Sequence, residues 1–76
     1  MKELLELLTK SIVDSPDDVF IKEIEGEKAV VYEIKVEADD VGKVIGKHGR
    51  IINAIRTIVR AAAVKEGKKV SIELLG

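Results

Sequence analysis

The 76-residue chain has no cysteine and no tryptophan, and only one each of proline, tyrosine, phenylalanine, methionine and histidine. Without cysteine there is no disulfide framework, thiol nucleophile or thiolate-bound zinc. A lone histidine, His48, leaves no histidine cluster for a metal, so neither metal nor cofactor is expected. No apolar run approaches the roughly 18 residues of a membrane span. Met1-Lys-Glu-Leu-Leu-Glu carries acids where a secretory leader carries bases. A cytoplasmic protein with no membrane partner is therefore expected. Gln is absent and Asn occurs once, beside many Ile, Glu and Lys, a bias typical of heat-adapted proteins. Catalysis lacks its usual parts as well. Ser11 and Ser71 lie far in sequence from His48, and Asp17-Asp18 and Asp39-Asp40 read as turn and cap residues. An enzyme is not expected.

What is present suffices for one small domain over residues 1–76. Hydrophobic residues make up 46% of the chain, enough for a packed core and too many for a disordered chain. The net charge of −1 hides an asymmetry. Residues 1–40 hold twelve acids and five bases, whereas residues 41–76 hold eight bases and two acids. From Val41 through Lys65 there are six bases and no acid. A sequence pI of 5.8 argues against a generic polyanion binder. A local basic surface on an acidic body fits a site that grips a few phosphates; two solvated faces that attract each other in the fold fit equally.

Periodicity divides the chain into six elements. Leu4, Leu5, Leu8 and Ile12 make one apolar stripe of a helix over 2–13, stopped by the turn around Pro16. Residues 19–25 are rich in β-formers, and 25–28 form a turn containing Gly26. Residues 29–37 alternate, with Val30, Tyr32, Ile34 and Val36 on one face. Asp39 or Asp40 is placed to cap a short helix over about 40–45, which Gly46 stops. A helix over about 50–65 ends near Gly67, and Val70, Ile72 and Leu74 alternate in a last strand. The short turn pairs the first two strands antiparallel, and the two-helix crossover permits parallel pairing of the third. The expected fold is α+β, in the order α-β-β-α-α-β. It is a two-layer sandwich with a three-stranded mixed sheet, three helices on one face and water on the other. Phe20 and Tyr32 are both expected in the core.

The chemistry concentrates in Val41-Gly42-Lys43-Val44-Ile45-Gly46-Lys47-His48-Gly49-Arg50. Two helices meet across a four-residue loop with glycine at each end. The amides opening the second helix lack intrahelical acceptors and point at the loop with the positive end of the helix dipole, an arrangement that receives phosphate. Lys47 and Arg50 add full charges, and His48 adds ring nitrogens. Val44, Ile45, Ile51 and Ile52 anchor the flanking helices, so the loop should be stiff. A P-loop is excluded, because Gly42 and Gly46 are separated by three residues and His48 stands where a hydroxyl is required. A dinucleotide fingerprint is excluded by its glycine spacing.

Val44-Ile45-Gly46-Lys47-His48-Gly49-Arg50-Ile51 resembles the Val-Ile-Gly-x-x-Gly-x-x-Ile signature of KH domains, and the element order resembles their type II arrangement. Nearly the whole chain is covered. Its length and N-terminal helix are similar to the small free-standing bacterial KH proteins of the KhpA (YlqC-like) group. The resemblance implies a non-enzymatic single-stranded RNA-binding protein, acting as a post-transcriptional regulator or RNA chaperone. Its loop, Gly46, Lys47, His48 and Gly49, would clamp the backbone of about four nucleotides. Bases would lie beside the preceding helix, at Val41, Gly42, Val44 and Ile45, with Lys43 at the groove rim and Arg50 within reach of a phosphate. Some of the apolar four must face the core instead. The resemblance further implies pairing with KhpB (Jag-like), a larger KH-containing protein, and a link to cell shape.

Lys65, Lys68 and Lys69 form a second basic group, read either as a solvated turn or as a further RNA contact. Arg56 and Arg60 read as solubilising. With so few aromatics for base stacking, one site of four nucleotides should bind weakly, and a second copy would raise affinity by avidity. On helix 50–65, Ile51, Ile52, Ile55, Ile58, Val59 and Ala62 share the expected core face. A separate stripe of Ala54, Thr57, Ala61 and Val64 is small and apolar enough to pack against itself across a two-fold axis. The alternative is a helix surface filled with good helix formers. An adapter that binds protein and little RNA is the competing function.

Overall fold

In the computed structural model, which describes residues 1–75, the six elements appear in the expected order. They are α1 (Lys2–Lys10), β1 (Phe20–Glu25), β2 (Ala29–Lys35), α2 (Val41–Ile45), α3 (Arg50–Val64) and β3 (Lys69–Leu75). Single 3-10 turns stand at Pro16–Asp18, Ala38–Asp40 and Lys47–Gly49. The sheet order is β1-β2-β3. β1 and β2 are antiparallel, with Phe20 opposite Lys35 and Glu25 opposite Val30. β2 and β3 are parallel, with Ala29 opposite Lys69 and Lys35 opposite Leu75. All three helices bury their apolar residues against one face of this sheet. Leu5 of α1, Val44 of α2 and Val59 of α3 meet Val30, Tyr32, Ile34 and Ile72.

α1 ends at Lys10, short of the expected 13. The Ser11 hydroxyl donates to the Leu7 carbonyl at 2.6 Å, and its backbone N–H donates there too. A serine that back-bonds in this way competes with continued helix. Ile12 and Val13 leave the helix but still pack on the core edge.

Two expectations about faces are corrected. Phe20 is not in the core; it is 62% exposed. Ile21 points inward, and strand parity sends its neighbour to the other face. The outer sheet face therefore is not simply polar. It carries Phe20, Ile24 and Leu75, all exposed, around Lys22, Lys35 and Glu33. The inward positions Glu23 and Glu25 lie beyond the helix layer and take polar partners instead. Tyr32 donates its hydroxyl to Glu23 at 2.6 Å, and Lys68 donates to Glu25 at 2.8 Å. Burial of Tyr32, helped by the Glu23 carboxylate, raises its phenol pKa well above the ordinary value.

The second correction concerns α3. Its buried stripe is Ile52, Ile55, Val59 and Ala63, so the helix is turned away from the expected face. Ile58 is 45% exposed and Ile51 is also exposed, while Ala62 is only half-buried. Ala63, the small residue of the stripe, sits on the sheet side at the crossover end, where α3 leads into β3.

Candidate nucleic-acid interface

The loop joining α2 to α3 is built by three residues with positive φ in four positions. Gly46 has φ 75° and ψ 172°, His48 has φ 58° and ψ 25°, and Gly49 has φ 73° and ψ 14°. The Gly46 conformation belongs essentially to glycine alone. A Cβ there would stand 2.5 Å from Cγ1 of Ile51, so the loop lies directly on the first turn of α3. The Gly46 N–H donates to the Gly42 carbonyl at 2.9 Å and closes α2. The Gly49 N–H donates to the Gly46 carbonyl at 3.1 Å and closes the loop. The Arg50 N–H donates to the Lys47 carbonyl and completes the turn. The turn stands at the amino end of the 15-residue α3. Side chains of Lys47, His48 and Arg50 are exposed, and none of the three forms an ion pair among the described residues. The result is a stiff, outward-facing group of donors and cations with no acid in it.

The preceding helix divides the other candidate residues by facing. Val44 is fully buried and anchors α2. Val41 packs at the core edge. Ile45 is 39% exposed, and Gly42 is open, with nothing within 4 Å of where its Cβ would be. Gly42 and Ile45 together leave a shallow apolar shelf beside the loop.

Lys43 is exposed, as expected of a rim position, but its ammonium is paired. Its ammonium donates to Asp14 at 2.6 Å and lies 3.4 Å from Asp40. These partners, Asp14 first, raise its pKa above the ordinary value. Asp40 is buried and does not cap α2; Glu37 caps the preceding turn by accepting the Asp39 N–H. Asp40 instead accepts the backbone N–H groups of Asp14 at 3.2 Å and Ser15 at 3.0 Å. It thereby ties the segment after α1 to the base of α2, behind the loop. Burial pushes its pKa up, but the two N–H donors and Lys43 outweigh that and hold the carboxyl below its ordinary 3.8.

A depressed carboxyl pKa stabilises the fold above its unfolded-state value, and the contribution disappears as pH falls through the folded-state value. The parent protein is thus expected to lose thermal stability below about pH 4. Asp40→Asn should melt lower at neutral pH and show a flatter acid limb. Melting temperatures taken across pH 2–7 check this.

Comparison with known proteins decides what carries this loop. The KhpA/KhpB, KH domain family matches residues 2–74.

The chain belongs to the KhpA/KhpB family of KH domains.

RNA-binding protein KhpA of Clostridium perfringens is 56% identical over 75 residues, covering 99% of this chain and 100% of the relative. RNA-binding protein KhpA of Caldanaerobacter subterraneus is 51% identical over the same length. Among solved structures, Era of Aquifex aeolicus bound to GDP·AlF4− superposes with a TM-score of 0.69 at 20% identity. Era in complex with MgGDPNP and nucleotides 1506–1542 of 16S ribosomal RNA superposes with a TM-score of 0.65 at 23% identity. This KH domain covers 28% of each Era chain, and at such identity the likeness is one of fold.

Sequence reasoning missed Arg56 as more than a solubilising residue. Its guanidinium donates to the Asn53 side chain at 3.2 Å and to the Ile72 carbonyl on β3 at 3.3 Å. It therefore bridges α3 to the free edge of the sheet. The i, i+3 and i, i+4 spacing of Gly49, Asn53, Arg56 and Arg60 was the available signal, since it lines these residues along one side of the helix.

Proposed function

We propose that this KH domain, spanning residues 1–76, is a non-enzymatic single-stranded RNA-binding module that holds the RNA backbone at Gly46, Lys47, His48 and Gly49. Arg50 adds a phosphate contact, and the open shelf of Gly42 and Ile45 takes a base. The observation that carries this reading is the loop itself. Three positive-φ positions form a tight turn that keeps the side chains of Lys47, His48 and Arg50 exposed and out of ion pairs at the amino end of α3. The names of the relatives and the family support RNA as the ligand. A post-transcriptional role in the cytoplasm follows from it, as regulator or RNA chaperone. No helix among the described residues is long and apolar enough to cross a membrane.

The loop and Arg50 neutralise about two to four phosphates on a four-nucleotide RNA. At about −0.7 per phosphate, log affinity against log salt should fall with a slope of about −1.5 to −3. Fluorescence anisotropy across a salt series measures it. A slope near zero contradicts phosphate clamping, and a much steeper one indicates a broad basic surface.

Weak single-site binding is offset by pairing of two copies through α3. Ala54, Thr57, Ala61 and Val64 are all exposed, and Val64 is 74% so. The exposed Ile51 and Ile58 widen the stripe. Thr57 turns its hydroxyl back to the Asn53 carbonyl at 2.9 Å, so its polar group is already satisfied. Close packing of such helices about a two-fold axis would put two loops on one particle. Thr57→Glu with Ala61→Glu sets like charges across that axis. Light scattering should then give a folded monomer with weaker RNA binding, and a parent already monomeric at high micromolar concentration contradicts the seam. The family's description makes KhpB the partner to test next. The exposed Phe20, Ile24 and Leu75 on the outer sheet face favour a protein contact there.

A further inference from the structure

We infer that Asp14 withholds Lys43 from RNA in the free protein, and that bound RNA draws the Lys43 ammonium off the Asp14 carboxylate to gain one further phosphate contact. This rests on the loop reading above and adds a cation that the loop and Arg50 do not supply. In the free chain the ammonium donates to Asp14 at 2.6 Å and stands 3.4 Å from Asp40. The shorter contact is with the exposed acid and not with the buried one, so the pair does not serve chiefly to neutralise Asp40. Asp40 accepts the backbone N–H groups of Asp14 at 3.2 Å and Ser15 at 3.0 Å, and it keeps both donors when Lys43 leaves. The Asp14 side chain is 76% exposed, and its only ion pair among the described residues is with Lys43. Water solvates so exposed a carboxylate once the ammonium has gone, and a surface ion pair of this kind is weak and screened by salt. The contact is therefore a latch that a phosphate can open.

Position makes Lys43 the cation to be gained. It stands three residues before Gly46, about 4.5 Å along α2 at 1.5 Å per residue. Its neighbour Gly42 carries no side chain, and nothing lies within 4 Å of where a Cβ would be. The flexible four-carbon stem of Lys43 can thus turn from Asp14 across the bare backbone of Gly42 toward a strand whose base lies on the Gly42 and Ile45 shelf. No acid occurs from Val41 through Lys65. Among the described residues, Asp14 and Asp40 are the only carboxylates paired with a side chain of α2 or the loop. Lys47, His48 and Arg50 meet RNA without breaking any ion pair, whereas Lys43 must first exchange one anion for another.

The test uses the full chain and an unstructured four-nucleotide single-stranded RNA, with anisotropy titrations over a salt series and thermal melts on the same samples. Asp14→Asn removes the latch carboxylate and keeps the backbone N–H that Asp40 accepts. It should bind about two- to fivefold more tightly than the parent at low salt, the factor that an exposed ion pair withholds. Its slope of log affinity against log salt should steepen by about 0.7, the value of one phosphate. Asp17→Asn makes the same change in net charge at an exposed acid that has no ion pair among the described residues, and it should leave both quantities unchanged. Lys43→Gln alone should cost little, because the latch offsets most of the contact, and Asp14→Asn/Lys43→Gln should show no gain. Equal gains in Asp14→Asn and Asp17→Asn overturn the inference, since net charge alone then explains them. An Asp14→Asn protein that binds like the parent overturns it, as does a gain that survives in the double variant. So does a loss on Lys43→Gln that is the same in the parent and in the Asp14→Asn background, which makes Lys43 a contact already free. In all of these cases a Lys47→Asp/His48→Asp protein that no longer binds leaves the loop reading intact. If that loop variant binds as the parent does, the loop reading itself has failed and the Lys43 contact falls with it.

Discussion

Replacing Lys47 and His48 together with Asp is expected to abolish binding of short single-stranded RNA while leaving the protein folded. Both side chains are exposed and unpaired, so the change in stability should stay within about 1 kcal/mol. His48 sits at φ 58°, a region in which Asp is also well represented, so the loop keeps its shape. What changes is charge. A lysine cation and a ring donor become two carboxylates at the amino end of α3. Two like charges about 4 Å apart repel by several kcal/mol at the dielectric of a protein surface, which exceeds what a few phosphate contacts contribute. Anisotropy titration and thermal melting on the same samples give the two readings. An unchanged affinity with an unchanged melt would remove the loop from RNA binding.

The second large effect is structural and turns on two glycines four residues apart. Gly46→Ala places a methyl 2.5 Å from Ile51 Cγ1 and 2.8 Å from its Cβ. Cβ of Ile51 is fixed by the helix, so the clash cannot be relieved by a rotamer change. The backbone strain costs about 1–3 kcal/mol and the overpacking about as much again. A chain of this size has only about 4–11 kcal/mol of total stability, so the variant should be largely unfolded or melt far below the parent. Gly42→Ala meets nothing within 4 Å and stands inside α2. It should stabilise the fold by about 0.5–1 kcal/mol and weaken RNA binding by putting a methyl on the shelf. Denaturant melts of the pair should move in opposite directions. Equal destabilisation would contradict the geometry given for Gly46.

Much of this was legible in the residue order. The alternation of Val30, Tyr32, Ile34 and Val36 determined the inner face of β2, and the glycine spacing around Lys47-His48 located the loop. Facing was harder wherever apolar residues stood on both sides of an element. β1 holds Phe20 and Ile24 on one face and Ile21 on the other, with Val19 just before it. Only its register with β2, Ile21 opposite Ile34, decides which is buried. α3 has so many aliphatic residues that its apolar arc exceeds what the sheet covers. Contact with β3 then selects Ala63 over Ala62 and leaves Ile51 and Ile58 outside. The pairing of Lys43 was not legible for a different reason. Its partners Asp14 and Asp40 lie 29 and 3 residues away, and the first is brought near only by the folded chain. The charge asymmetry had two readings, and each holds for different residues. Lys43 and Lys68 pair with acids of the N-terminal half, while Lys47, Arg50, Arg60 and Lys69 are unpaired among the described residues.

The most direct test of the loop as the RNA clamp is a backbone-amide NMR titration with a four-nucleotide single-stranded RNA. The largest shifts are expected at Gly46, Lys47, His48, Gly49 and Arg50, with smaller ones at Gly42 and Ile45 and none on the outer sheet face at Phe20, Lys22 and Ile24. Shifts confined to that outer face, with the loop amides unmoved, would contradict it.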